Sequence, residues 1–335
     1  MSDTLARVTH LPTGKLPSAL LEELLSGLTE APEVRLGPAI GEDACVIDVP
    51  AGALVVAADP ITLTSAELGG HAVLINANDV AATGVRPRWF LATLLLPPDA
   101  TADSVREIFA SMQRALAECD AYLVGGHTEV TSAVRQPVIA GQMLGFAEDG
   151  RIVPTGGVRP GDVLVQAGAA PVEGAAVFAS EAAERLAGLD DTIVAAARAA
   201  VSDPGISIVE PALIAATHGA TALHDPTEGG LAAGLDELAR ASGVKLSIDR
   251  DAVEWFEPGL AICRALGADP WRTLASGALL AAFAPEAVDA ARAAIESQGT
   301  PTCVLGHALD GAGAFALDGE AILAPARDEV ARLLD

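Results

Sequence analysis

An α/β (α+β) protein of two domains is what the sequence predicts, and three observations predict it. Short apolar runs of strand length alternate along the chain with Ala- and Leu-rich stretches of helical period. The composition is 51% hydrophobic but only 3% aromatic, so Ala, Leu, Val and Ile must fill the core, as they do where buried strands lie between Ala-rich helices. The chain of 335 residues is long enough for two domains, and a polar, Gly- and Pro-rich stretch, EDGRIVPTGGVRPGD at 148–162, interrupts it near the middle. The expected domains are 1–155 and 156–335.

The elements follow in order. Residues 17–28 carry leucines at helical spacing, with Ser18 placed to cap the start. Just before them lies TGKLP at 13–17, a flexible stretch bearing one positive charge, Lys15. Residues 44–48 (ACVID) and 53–58 (ALVVAA), separated by Pro50 and Gly52, read as a β-hairpin. A helical pattern over 66–84 ends at Gly84, and an apolar strand over 88–96 is stopped by Pro97 and Pro98. Residues 101–119 form an amphipathic helix, and 121–124 a strand that runs into a Gly125-Gly126 turn. A further strand covers 137–146. In the second half the pattern predicts a strand at 163–166, one long Ala-rich helical region over 173–200 and a helix at 207–217. A strand at 220–223 then enters the turn HDPTEGG at 224–230, and a helix over 231–242 leaves it. The last third alternates strand and helix and closes on a short helix at 327–334.

Charge narrows the partners. With 45 acidic against 20 basic residues the formal net charge is -25, which repels a polyphosphate backbone and an anionic membrane surface. Nucleic acid and membrane are therefore not expected partners. The excess either solvates the surface or, in part, holds a divalent cation through hard oxygen ligands. Cys45, Cys119, Cys263 and Cys303 are widely spaced, with no Cys-x-x-Cys pair, and read as buried thiols in a reducing compartment. The first residues, MSDTLARVTH, lack the charged and apolar regions of a secretory signal, and no apolar run is long enough to span a bilayer. A cytoplasmic protein is expected.

Four acidic motifs stand where an apolar run meets a turn: GEDA with Asp43, ADPIT with Asp59, NANDV with Asp79, and HDPT with Asp225. Carboxylates at the ends of buried strands point into a cleft from a rigid backbone, and several together suit Mg²⁺, which takes oxygen ligands in near-octahedral geometry. Asp43, Asp59 and Asp225 equally fit turn or cap residues that bond their own backbone. Asp79 differs, because it lies within an apolar helical pattern (Ala72, Val73, Leu74, Ile75, Ala77, Val80), where a carboxylate needs a partner. Gly125-Gly126 after a strand, and Gly229-Gly230 at a helix start, expose backbone N–H groups to which a phosphate can come close. No GxxxxGK[ST] loop is present, so a nucleotide would bind by another architecture. Lys15 either closes over phosphates or is a surface lysine. His127 and His224 either move protons or are hydrogen-bonded turn histidines.

Taken together and in this order, the motifs GKLP (14–17), GPAIGEDACVID (37–48), ADPIT (58–62), NANDVAATGVRPRWFLATLLLP (76–97), LVGGHTEV (123–130), RPGDVLV (159–165), HDPTEGGL (224–231) and SGALL (276–280) resemble the PurM/HypE superfamily. That superfamily includes thiamine-monophosphate kinase and selenophosphate synthetase, and the GKLP opening and DPTEGG turn look most like its HypE branch. The resemblance implies a PurM-like N-terminal α/β domain that forms a homodimer through its sheet, and a C-terminal α/β domain beside it. ATP and Mg²⁺ would lie in the cleft at the dimer interface. Carried over by motif, Asp43, Asp59 and Asp79 would hold metal and phosphate, and Asp225 would complete the set. Asn76 and Asn78 would stand near the nucleotide, and Gly125, Gly126, His127, Thr128 and Glu129 would border it. Lys15, Gly229 and Gly230 would add phosphate contacts, and Asp79, Asp225 and His127 would be catalytic.

The shared chemistry is activation of an oxygen by phosphoryl transfer from ATP, with positioning and charge neutralisation as the main sources of rate. HypE presents its substrate on a cysteine that closes a Pro-Arg-Ile-Cys tail, whereas residues 329–335 here read EVARLLD. The ATP machinery is thus expected with a different acceptor, a free small molecule. A HypE-like hydrogenase maturation factor and a non-catalytic nucleotide-binding scaffold are the alternatives.

Overall fold

The computed structural model describes residues 14–15, 18–29, 31–36, 46–47, 49–62 and 67–334. Its contacts divide the chain into two compact units, one drawn from 1–80 and 86–151, the other from 81–85 and 152–335. The division is not a single cut, because the short segment 81–85 goes with the later residues.

In chain order the first unit holds β1 (Gly14–Lys15), α1 (Ser18–Ser26), β2 (Val34–Leu36), β3 (Val46–Ile47), β4 (Ala53–Ile61), α2 (Leu68–Ala81), β5 (Pro87–Leu96), α3 (Ala102–Glu118), β6 (Tyr122–Val130) and β7 (Val138–Ala147). Five strands make one sheet in the order β1-β6-β5-β7-β4. Burial in β7 alternates residue by residue, as it must when one sheet face is covered and the other is not. The covered face carries Phe90, Leu94, Leu96, Ile139 and Met143, each at most 1% exposed. α3 packs its stripe Val105, Ile108, Phe109, Met112 and Leu116 inward, and it starts where Thr101 and Ser104 form a reciprocal capping box.

The expected hairpin of 44–48 with 53–58 does not form. Its described residues, β3, pair with β2 in a separate two-stranded sheet, while β4 runs antiparallel to β7 from Ala53↔Ala147 to Ile61↔Ile139. Nine continuous register pairs with a distant strand outweigh a short local turn. The small β2–β3 sheet packs Val34 and Ile47 against Trp89, Tyr122 and Leu144. It is tied down by Glu33, which accepts from Arg88 Nε at 2.5 Å and Trp89 Nε1 at 3.0 Å.

The second unit holds β8 (Val163–Ala167), α4 (Val172–Glu181), α5 (Asp191–Ala199), α6 (Val209–Thr217), β9 (Ala222–His224), α7 (Gly230–Ser242), β10 (Lys245–Ile248), α8 (Glu257–Leu266), β11 (Leu279–Phe283), α9 (Val288–Glu296), β12 (Thr302–Leu309), β13 (Gly313–Ala316), β14 (Ala321–Ile322) and α10 (Glu329–Leu334). Its seven strands run in the order β14-β13-β10-β12-β8-β11-β9. β8 and β11 are buried at every residue because helices cover both faces of the sheet. The single helical region expected over 173–200 is two helices, α4 and α5. A 3-10 turn, Ala183–Leu186, follows α4, and Asp190 restarts the chain as α5 by capping the Thr192 amide. Among the described residues no single helix is long and apolar enough to cross a membrane.

Candidate functional site

The first unit builds its polar site around one buried amide. Asn76, on α2, is 0% exposed. Its Oδ1 accepts the Asp59 backbone N–H at 2.8 Å, and its Nδ2 donates to the carbonyls of Asp59 at 3.1 Å and Ala72 at 2.8 Å. Three of the side chain's four hydrogen-bonding positions clamp β4 to α2. It holds the backbone from which Asp59 projects. Gly141, paired with Asp59 across the sheet, makes room for it, since a Cβ there would lie 2.5 Å from Asn76 Nδ2.

The pleat sets Asp59, Gly141, Ala92 and Gly126 in one row across β4, β7, β5 and β6, on the face that α2 covers. Asp79 lies three residues after Asn76 on α2, on the same side of the helix. The clamp thus brings Asp59 and Asp79, two partly exposed carboxylates, to one region of the unit. Asn78 is fully buried. Replacing Asn76 with alanine leaves the Asp59 amide and carbonyl without their side-chain partner. The expected loss is about 2–4 kcal/mol of unfolding free energy, read as a lower denaturation midpoint in urea.

Gly125 and Gly126 are not a turn. β6 runs through both and pairs in parallel with β5 as far as Leu96↔Val130. Gly126 is needed for a different reason: its φ is 149°, and a Cβ would meet the Ala92 carbonyl at 2.0 Å. The register also splits the HTE motif. Thr128 pairs with Leu94 on the α2 side, whereas His127 pairs with Thr93 on the opposite face of the sheet. There Nε2 of His127 stands 3.4 Å from an oxygen of Glu129. His127 and Glu129 therefore lie on the face of the sheet opposite to Asp59, by strand alternation.

In the second unit, β9 delivers His224 and Asp225 into the 224–230 turn. Asp225 is 9% exposed. Nε2 of His224 lies 3.0 Å from Glu237 on α7, and this hydrogen bond holds the Glu237 carboxyl below its ordinary range. Gly229 and Gly230 adopt left-handed φ of 81° and 64°. Both amides, for which a phosphate role is expected, are bonded within the unit. The Gly229 N–H donates to Asp328 Oδ2 at 2.7 Å, and the Gly230 N–H donates to the Thr227 carbonyl at 3.0 Å.

Asp43 lies outside the described residues, as does Cys45. Lys15 is described only as part of β1, paired with Glu129. Among the described residues no three His, Cys, Asp or Glu side chains gather as a metal site. Asp59 on β4 and Asp79 on α2, the helix that Asn76 ties to β4, are hard carboxylates of the kind Mg²⁺ takes. Cys263 is a buried thiol, pushed up to about 11 by that burial, and so is unreactive at neutral pH. Sequence reasoning missed Gly141, Glu237 and Asp328. Each acts through a partner more than ten residues away, and no local spacing announces it.

Two sequence models of one family match this chain. The AIR synthase related protein N-terminal domain matches residues 41–147, and the C-terminal domain of the same family matches residues 159–318. The carbamoyl dehydratase HypE of Rhodobacter capsulatus is 29% identical over 319 residues, 92% of this chain and 90% of that protein. The thiamine-monophosphate kinase of Corynebacterium glutamicum is 30% identical over 217 residues, 64% of this chain and 63% of that one. The crystal structure of the hydrogenase maturation protein HypE in complex with ATP shares the fold at a TM-score of 0.72 and 21% identity, covering 93% of this chain and 96% of that one.

Proposed function

Because this chain belongs to the AIR synthase related proteins, of PurM-like α/β fold, we propose that it is an ATP- and Mg²⁺-dependent enzyme that activates an oxygen of a small-molecule substrate by phosphoryl transfer. The observation that carries the reading is the Asn76 clamp, which holds the Asp59 backbone to the helix that also carries Asp79. The relatives support it from two directions, one named a carbamoyl dehydratase and one a kinase, with ATP in a structure of the same fold.

Asp59 and Asp79 hold the metal through carboxylate oxygens, with Asp43 as the proposed third ligand. Bound ATP and Mg²⁺ supply the phosphoryl group and neutralise its charge. Asn76 keeps β4 and α2 at a constant separation, so the two carboxylates do not reorganise during the reaction. Asp225, fixed on the short turn between β9 and α7, is the proposed catalytic carboxylate of the second unit. The setting is cytoplasmic.

A homodimer through the sheet of the first unit has its own support. The face opposite α2 carries Leu91, Leu95, Leu144 and Phe146 half-buried, with Leu54 and Val56 on β4 at 49% and 60% exposed. An apolar sheet face of this kind is normally covered. Replacing Leu54 and Val56 together by lysine is expected to convert a sedimenting dimer into a monomer in analytical ultracentrifugation, with the fold retained by circular dichroism.

The function is tested by following ADP release from Mg²⁺ and ATP while fractions of a small-molecule extract are added. Stimulation by one fraction supports a free substrate. Stimulation only by a carbamoyl-transferring protein partner supports the second reading, a HypE-like maturation factor, which the HypE relative favours. Turnover with no metal dependence overturns both.

A further inference from the structure

Residue 328 and the turn before α7 are 99 positions apart in sequence, yet they form one structure. Asp328 is 7% exposed. Both of its oxygens are engaged at 2.7 Å, Oδ2 by the Gly229 N–H and Oδ1 by the Val330 N–H. The first of these amides stands at the amino end of α7, a thirteen-residue helix whose dipole favours a negative charge there. The carboxylate is thus the anion that this helix end would otherwise take from solution.

The same turn is fixed at two more points. The Thr227 carbonyl accepts the Ala275 N–H at 3.2 Å, and Pro226 packs where a Cβ of Gly234 would lie 2.6 Å away. Two consecutive glycines with positive φ make 229–230 the part of the turn with the weakest conformational preference of its own. Asp328 is what removes that freedom.

We infer that Asp328 is a positioning residue, holding the 225–230 turn and with it the Asp225 carboxylate. This rests on the reading that Asp225 takes part in the reaction. Asp328 acts on the turn through the Gly229 amide.

The segment that carries Asp328 is docked independently of it. Val330 is 0% exposed in a helical core that includes Phe178, Leu186 and Ile262. Glu329 accepts from the Asp269 amide and from Arg332, and Arg332 and Arg185 donate to the carbonyls of Gly267 and Leu333. Removing the carboxylate also removes the cap on the Val330 amide, but these contacts still hold α10, and the loss at the turn is that of the tie to Gly229.

The full chain with Asp328→Ala is compared with the unaltered protein for Mg²⁺-dependent ATP hydrolysis and for amide exchange of the peptide spanning 224–234, each with and without added sodium formate. A positioning role predicts that the variant loses about tenfold or more in kcat while KM for ATP changes little, and that the 224–234 amides exchange faster. Formate, a small carboxylate able to reach the vacated amide, is expected to restore part of both and to leave the unaltered protein unchanged. Asp328→Asn, which keeps the size but presents a donor toward one amide, is expected to behave like the alanine variant. Turnover and exchange equal to the unaltered protein overturn the inference, and so does a loss that formate leaves untouched. Absence of Mg²⁺-dependent ATP hydrolysis in the unaltered protein overturns the functional reading instead, and the exchange experiment still decides whether Asp328 holds the turn.

Discussion

Asp79→Asn is expected to lower Mg²⁺-dependent ATP turnover by about a thousandfold while leaving the fold intact. Asparagine preserves the volume and one acceptor oxygen of the side chain but removes the charge, and charge is what a divalent cation beside a triphosphate requires. Asp79 is partly exposed on the side of α2 that Asn76 clamps to β4, so the neutral side chain fits where the carboxylate stood. The corresponding change at Asp59 is expected to have a similar effect, because Asn76 binds only the backbone of that residue. The pair separates two roles. Asn76→Ala costs stability first, and Asp79→Asn costs turnover without stability. Steady-state kinetics beside thermal melts of the three variants reads the difference.

The largest structural effect is expected from Gly126→Ala. A Cβ at this position would sit 2.0 Å from the Ala92 carbonyl oxygen, and the φ of 149° is one that L side chains rarely adopt. Neither strand can retreat easily, because β5 is central, paired with β6 on one side and β7 on the other. The clash is with backbone and not with the far end of a flexible side chain. The expected cost is about 3 kcal/mol or more, seen as a fall in melting temperature of several degrees. If Gly126 were instead an exposed turn whose only task is to admit phosphate, alanine would weaken nucleotide binding and leave the melting temperature nearly unchanged.

That contrast shows where sequence reading stopped. Alternation over 138–147 and the apolar run at 88–96 announced strands because their burial follows the pleat or is continuous. The helix at 102–118 was legible down to its cap, since Thr101 and Ser104 act on neighbouring amides. Gly125-Gly126 was misread because two glycines after a short strand look like a turn, and only pairing with a distant parallel strand shows that the strand continues. The supposed hairpin of 44–48 with 53–58 failed for the same reason, since β7 offered β4 a longer register. Within 173–200 the high alanine content hid the restart at Asp190, because alanine favours helix on both sides of a break.

In the site, the carboxylates themselves were readable and their supports were not. Asp225 stands at a turn, as its motif announces, whereas Asp59 lies within β4 and Asp79 within α2. Asn76, expected near the nucleotide by motif, also clamps β4 to α2, which its motif does not announce. His127, expected at the border of the nucleotide, lies on the sheet face opposite to Asp59, which motif order alone does not reveal. Gly229 and Gly230 looked like a vacant anion site, and the anion came from residue 328 of the same chain.

The central claim is that carboxylates of the first unit bind a metal together with ATP. Titration calorimetry of ATP into the protein, with Mg²⁺ and then with chelator, tests it most directly, repeated on the Asp59→Asn, Asp79→Asn double variant. The account predicts heat of binding with Mg²⁺ that disappears with chelator and in the double variant. Equal ATP binding in all three experiments would contradict it.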